Sequence, residues 1–255
     1  MKHSARTALV TGANGGVGAA IARALAASGH RVAVHYGHSE RAAHQLAGEL
    51  AGDGHAVVAG DLREQGAATK IVDDAVSRLG RIDVLVNNAG VTRRTLITEP
   101  SLAQWRADWE DVFAVNLFAA ADLAWEVARH LRERPETAAG GRIVNVGSRG
   151  AFRGQADAIA YSASKAALHA MTHSLAIALG PYGIAVTAVA PGLVKTPMTA
   201  SLIEDMSEEA VKAESPLARL AVPEDVAAAV AWLASPEAEW VSGAVVDVNG
   251  ASYTH

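Results

Sequence analysis

The sequence predicts an α/β fold: one domain on a seven-stranded parallel sheet with helices on both faces. Seven short apolar runs alternate with helix-period segments along the chain, the pattern of repeated strand–helix–strand units. Most runs are continuously apolar rather than alternating, as strands covered on both faces are. Glycine-rich or polar clusters follow several runs, at the carboxyl ends where ligands bind in open parallel sheets.

Taken in order, Thr7–Thr11 is the first strand and leads into Gly12-Ala-Asn14-Gly-Gly16-Val17-Gly18. A helical pattern from Ala19 to Ser28 ends at Gly29-His30. Arg31–Tyr36 is the second strand, and Ser39 is placed to N-cap a helix through Leu50. His55–Asp61 is the third strand, followed by a helix to Leu79. Ile82–Val86 is the fourth, ending in Asn87-Asn88-Ala89-Gly90. A long helical region covers Gln104 to Arg134, with Pro135 as its stop. Arg142–Val146 is the fifth strand, and the helix carrying Tyr161 and Lys165 ends near Gly180-Pro181. Ile184–Val189 is the sixth, ending in Pro191-Gly192. A polar, poorly periodic segment from Met198 to Pro216 is expected to be mobile, before a helix opening at Pro223. Ala244–Val248 is the seventh strand.

At 255 residues, 50% hydrophobic and 19% charged, the chain suits one large domain with an ample core. A net charge of −5 without a long basic run argues against nucleic acid or an anionic membrane as partner. The absence of cysteine excludes disulfides and thiolate chemistry. Met1–Thr7 lacks a signal-peptide core, and no apolar run is long enough to span a bilayer, so a cytoplasmic protein is expected.

Gly12, Gly16 and Gly18 sit between a strand and a helix. Glycines there permit a tight turn and close backbone approach to a pyrophosphate, which the helix N-terminus attracts. In that position the string reads as a dinucleotide site. An NAD site usually places an acid some 20 residues on, for the ribose hydroxyls. None occurs between Gly12 and Ser39; His35, His38, Ser39 and Arg41 offer donors to a 2′-phosphate instead. NADP(H) is the expected cofactor and NAD(H) the alternative, a plain solvated loop being the bland reading.

Tyr161 and Lys165 are one helical turn apart. A cation ~4 Å from a phenol, at an effective dielectric of ~20, favours the phenolate by about 4 kcal/mol. Each pKa unit is worth about 1.4 kcal/mol, so a fall of two or three units is expected. That would make Tyr161 an acid/base for interconverting carbonyl and alcohol, with Ser148 holding the substrate oxygen. A Tyr–Lys pair by itself also fits an ordinary amphipathic helix. His169 and His173 have metal-ligand spacing, but no glutamate lies between them and no third ligand is nearby. No metal is expected; packing, against another subunit for instance, suits them better. Trp105 and Trp109, four apart, mark either a helix–helix interface or a core stripe.

Together, Thr11-Gly12-Ala-Asn-Gly-Gly16-Val-Gly18, Asp61-Leu62, Asn87–Gly90, Asn116, Ser148, Tyr161-x-x-x-Lys165 and Pro191-Gly192 resemble the short-chain dehydrogenase/reductase family, from Thr11 to Gly250. The resemblance implies a Rossmann fold and a role for each position. Tyr161 would be the acid/base, Ser148 would orient the carbonyl oxygen, and Lys165 would lower the Tyr161 pKa and bind the nicotinamide ribose. Asn116 would hold a water linking Lys165 to solvent. Gly12, Asn14, Gly16, Val17 and Gly18 would carry the pyrophosphate, and His38 and Ser39 the adenosine end. Asp61 and Leu62 would meet the adenine. Asn88, Ala89 and Gly90 would line the cofactor path, continued by Pro191 and Gly192, and Val194 and Thr196 would hold the carboxamide.

Within the family the chain looks most like 3-oxoacyl-(acyl-carrier-protein) reductases, on Asn88–Arg93, Lys195–Met198 and Val241–Gly250. That implies an acyl-carrier-bound or small carbonyl substrate and a part in fatty acid biosynthesis. It also implies a substrate lid at about 193–217 and a homotetramer built through the two long helices and the last strand. Two departures weaken the 2′-phosphate reading: Gly15 replaces a frequent basic residue, and His38 stands where an arginine is expected. Neutral histidine is the weaker phosphate partner. A cofactor-binding regulator without catalysis, or an epimerase or dehydratase on the same fold, are the competing functions.

Overall fold

A computed structural model describes residues 6–133 and 140–254. Its strands are β1 (Thr7–Val10), β2 (Arg31–Tyr36), β3 (Ala56–Ala59), β4 (Val84–Asn87), β5 (Gly141–Val146), β6 (Ile184–Pro191) and β7 (Val245–Val248). They form one parallel sheet in the order β3-β2-β1-β4-β5-β6-β7. The order reverses direction after β3, between β1 and β4, and that crevice is where such sheets bind ligands.

Side chains alternate across each strand, which divides the core in two. Ala8, Val10, Val32, Val34, Val84 and Val86 pack with helices α1 (Gly16–Ala27), α2 (Glu40–Glu49) and α10 (Pro223–Leu233). Leu9, Ala33, Leu85 and Ile143 face the other way, onto α3 (Ala67–Leu79), α5 (Ala119–Arg132) and the end of α7 (Ile159–Leu179). Both faces are buried, which is why the strands read as continuous apolar runs.

Several expectations are adjusted. Helix α1 begins at Gly16, not Ala19, so two of the loop glycines belong to its first turn. Ser39 occupies the N-cap position of α2, but its side chain caps nothing. The long helical region is real but divided: α4 (Leu102–Phe113) passes through a π-helical turn, Ala114–Phe118, into α5. The expected stop at Pro135 lies outside the described residues. Trp105 and Trp109 are neither fully buried nor a core stripe; they begin a ladder continuing through Phe113 to Phe118, with ring centroids 5.9, 5.4 and 6.3 Å apart.

The polar segment from Met198 to Pro216, expected to be mobile, contains two helices. Helices α8 (Ala200–Met206) and α9 (Glu208–Ala213) enclose a small cluster of Ile203, Val211 and Leu220 against Leu193. Ser207, at φ 66, turns the chain between them and accepts a bond from Ala210 N–H. A short helix, α6 (Gly150–Arg153), follows Ser148 directly. Among the described residues, no helix is long and apolar enough to cross a membrane.

Candidate active site

The glycine loop is fastened from three sides. Thr11 Oγ1 accepts bonds from the N–H groups of Asn88 and Ala89, each 3.0 Å. Asn88 Nδ2 donates to the carbonyls of Thr11 and Gly12 at 2.9 and 3.2 Å. Gly12 N–H donates to His35 Nδ1 at 3.1 Å, and His35 Nε2 donates to Gly60 O at 3.0 Å. The fit explains the glycines. A Cβ on Gly18 would lie 2.3 Å from Gly12 O and 2.5 Å from Asn88 Nδ2. Gly12 adopts φ +59, which favours glycine, and a Cβ there would meet Ala89 Cα at 3.0 Å. Asn14 and Val17 are half-buried on the loop, and Gly16 looks toward Thr196.

His35 therefore offers nothing to a 2′-phosphate: it is buried, and both ring nitrogens are bound to backbone. Burial pushes its pKa down to about 4, so the ring is neutral near pH 7. His38, Ser39 and Arg41 stay exposed beyond the end of β2. Glu40, next to them, is turned to Tyr36 and His44. Asp61, at the end of β3, accepts the Arg63 N–H at 3.0 Å, and that bond leads the causes that lower its pKa; Leu62 is half-buried beside it.

Tyr161, Ser148, Lys165 and Asn116 come together at the ends of β4 and β5. The Ser148 hydroxyl stands near enough to act on the Tyr161 phenol, and both line one cavity. Lys165 is 3% exposed; its Nζ donates to Val146 O at 2.8 Å and stands 5.8 Å from the Tyr161 ring centroid. Asn116, in the π turn, accepts from Val91 N–H at 2.8 Å and donates to Val91 O and Ser164 Oγ. π turns recur at functional sites because the extra residue re-aims a side chain. Gly90 fits between these groups: a Cβ there would sit 3.3 Å from Asn116 Oδ1 and 3.5 Å from Lys165 Nζ.

One electrostatic expectation fails in this arrangement. Burial raises the Tyr161 pKa above its ordinary value of 10, with the Ser148 hydroxyl opposing it. Lys165 faces a carbonyl instead of the phenol oxygen, and burial lowers its own pKa to about 8. Desolvation outweighs the expected cation effect.

The cavity at Ser148 and Tyr161 measures about 350 Å³. One wall is charged or polar: Thr92, Arg94, Arg149, Arg153, Gln155 and Asp157. The other is apolar and comes from the segment after β6: Leu193, Met198, Leu202 and Met206. Gly192 lines the cavity, Pro191 ends β6 below it, and Val194 is buried in a bridge to Ala221. Thr196 caps the turn that starts α8. Arg149 and Arg153 both pair with Glu214 from the far side of that segment, Arg153 at 3.2 Å.

Sequence reasoning missed the parts of five residues: Thr11 as the loop's anchor, His35 as its brace, Ser164 behind Asn116, and Arg149 and Arg153 as a pair. Only the arginines left a signal, four apart directly after Ser148. His169 and His173 do not act together. His169 is buried against Phe152, ring centroids 4.9 Å apart, and His173 is exposed.

Known proteins agree with this architecture. A family model described as enoyl-(acyl carrier protein) reductase matches residues 12–251. The chain is 36% identical over 256 residues to a 3-oxoacyl-(acyl-carrier-protein) reductase of Aquifex aeolicus, spanning 99% of both. It is also 36% identical to an acetoacetyl-CoA reductase of an Acinetobacter species, over 98% of both chains. A 3-ketoacyl-(acyl-carrier-protein) reductase from Brucella melitensis, solved with NADH, superposes with a TM-score of 0.86 at 29% identity, over 97% of this chain and 98% of that one. The glycine loop, the switch-point crevice and these matches lead to one conclusion: the chain belongs to the short-chain dehydrogenase/reductase family, nicotinamide-dependent oxidoreductases acting on carbonyl or CH–OH groups.

Proposed function

We propose that this protein reduces a ketone to a secondary alcohol with NADPH, a 3-oxoacyl thioester being the first substrate class to try. The observation that carries the reading is the Ser148–Tyr161 hydroxyl pair lining a cavity, with Lys165 and Asn116 seated behind it. The glycine cradle fits a dinucleotide, since added Cβ atoms at Gly12 and Gly18 would crowd its backbone. When bound, the nicotinamide supplies the hydride that reaches the carbonyl carbon.

The chain's own residues manage the oxygen. Ser148 holds it, and Tyr161 gives it the proton that completes the alcohol. Burial keeps the phenol protonated, so it carries the proton that reduction needs, while its raised pKa makes it the weaker donor until the charged nicotinamide ring and Lys165 act on it. The phenolate left behind is the form that a protonated Lys165 favours. Asn116, braced on Val91 and Ser164, stands on the Gly90 side of Nζ and is assigned the water that returns a proton. His38, Ser39 and Arg41, exposed beyond β2 in a stretch with no acid between Gly12 and Ser39, support NADPH over NADH. We further assign the segment at about 193–217 as a substrate lid.

The test is absorbance loss of NADPH and NADH with a panel of 3-oxoacyl thioesters and small ketones. NADPH consumption that disappears in Tyr161→Phe, with cofactor binding kept, is the expected result. Cofactor binding without consumption of any carbonyl would overturn the reading. A second reading, reduction of a small ketone of another kind, is favoured by the charged wall of the cavity.

A further inference from the structure

Arg149, the N-cap residue of α6, and Arg153, its last residue, follow Ser148 one helical turn apart, so both guanidiniums serve the same wall. They converge on a single carboxylate, that of Glu214. The pair is mostly enclosed: the Arg149 side chain is 13% exposed and that of Glu214 19%. Burial acts to raise the Glu214 pKa, and the two guanidiniums outweigh it, so the carboxylate is ionised. Elsewhere on this wall Arg94 pairs with Asp157. The cavity lining thus holds three guanidiniums and two carboxylates, one positive charge in excess, together with the Ser148 hydroxyl.

A latch alone is a poor account of this. Enclosed ion pairs give up hydration and return little net stability, and a latch needs no second arginine and no place at the reacting end of the cavity. Glu214 is also free to yield. It belongs to a segment whose own core is Ile203, Val211 and Leu220 with Leu193, and thinly cored segments open at low cost. A second cavity of about 250 Å³ shares Arg149 and Glu214 and is lined also by Ser215, Arg219 and Asn249 and by Asp225 and Asp247. A displaced carboxylate would find donors there in Arg219, Ser215 and Asn249, and like charge in Asp225 and Asp247.

We propose that Glu214 is a resident stand-in for an anionic group of the substrate: the natural ketone or alcohol carries a carboxylate, or another small acid, that takes over Arg149 and Arg153 while its carbonyl meets Ser148 and Tyr161. The apolar side of the same cavity then covers the carbon chain between them. The proposal rests on reading Ser148–Tyr161 as the reduction site, and it narrows the second reading of function to oxo acids or hydroxy acids.

Two measurements on the whole protein test it. The first compares kcat/KM for a homologous series of oxo acids and their methyl esters, with NADPH and NADH. One member of the series is expected to beat its ester by ~10-fold or more, the size of a charge-assisted carboxylate contact. Arg153→Gln, at the exposed end of the pair, is expected to remove most of that ratio. Glu214→Gln is expected to lower KM for the acid severalfold, because the competitor is gone; a simple latch predicts a higher KM for acid and ester alike. The second is calorimetric binding of glutarate against glutaramide, which needs no turnover. Glutarate alone should bind. Equal binding of the two, or esters reduced as well as acids across the series, would overturn the anion site and leave the reductase reading intact. Glutarate binding with no ketone of either kind reduced would instead overturn the reductase reading, and with it the assignment of this anion to a reducible substrate.

Discussion

The two sides of the cleft are built on opposite principles. On the glycine-loop side, hydrogen bonds tie backbone to buried side chains: Thr11 receives two N–H groups, Asn88 grips two carbonyls, and His35 spans β2, the loop and Gly60. On the side of the proposed lid, two short helices rest on a cluster of three buried side chains and on ion pairs at the cavity wall. The first arrangement has one geometry. The second has a low cost of rearrangement. Under the proposed function, fixed parts would stand where a cofactor is held the same way at each turnover, and adjustable parts where substrates enter and leave.

Changes on each side should sharpen or break that contrast. The largest effect is expected at Tyr161, where the two sides meet. Tyr161→Phe should lower kcat by ~10²–10⁴-fold, the usual worth of a positioned acid, with cofactor affinity unchanged by fluorescence titration. On the rigid side, Gly18→Ala forces a methyl toward a backbone oxygen 2.3 Å away. A loss of about 3 kcal/mol in urea unfolding, the upper end for overpacking, with weakened cofactor binding, is expected. A tolerated alanine would show the loop to be pliant after all.

His35 supplies a pH signature. Its folded pKa is about 4 against an ordinary 6.5. Between these values the unfolded chain takes up a proton that the folded one refuses, so stability falls as pH drops through that window. The contribution is bounded at about 3 kcal/mol, and His35→Gln should flatten the slope in urea titrations across it. The smallest effect belongs to the lid. Val211→Ala should leave the global unfolding midpoint within experimental scatter while raising KM by ~3-fold, about 0.6 kcal/mol. A large drop in the midpoint would mean the lid is part of the cooperative core.

Much of the frame was legible because its physics is local. Strands such as Thr7–Val10 and Ile184–Pro191 are covered on both faces, so each residue must be apolar or small and the run announces itself. Gly12 and Gly18 are glycine for reasons of space in the immediate turn. What could not be read depends on distant partners. Nothing near His35 says that its ring reaches Gly60, and Glu214 is 65 residues from Arg149. The direction of the Tyr161 pKa was misjudged for the same reason: spacing puts Lys165 on the same helical face, but burial and the Val146 carbonyl decide where its charge points. The lid's helices hid because their apolar residues serve a cluster too small to leave a period.

The π turn at Ala114–Phe118 sets the phase of everything after it. A regular helix advances about 100° per residue, so removing the surplus residue would swing the stripe Leu123, Val127 and Leu131 off the sheet by roughly that angle while drawing Asn116 away from Val91. Restoring either would misplace the other. Chain length between Leu102 and Arg132 is thereby locked, and single-residue insertions or deletions in this stretch should be far less tolerated than substitutions of its surface side chains.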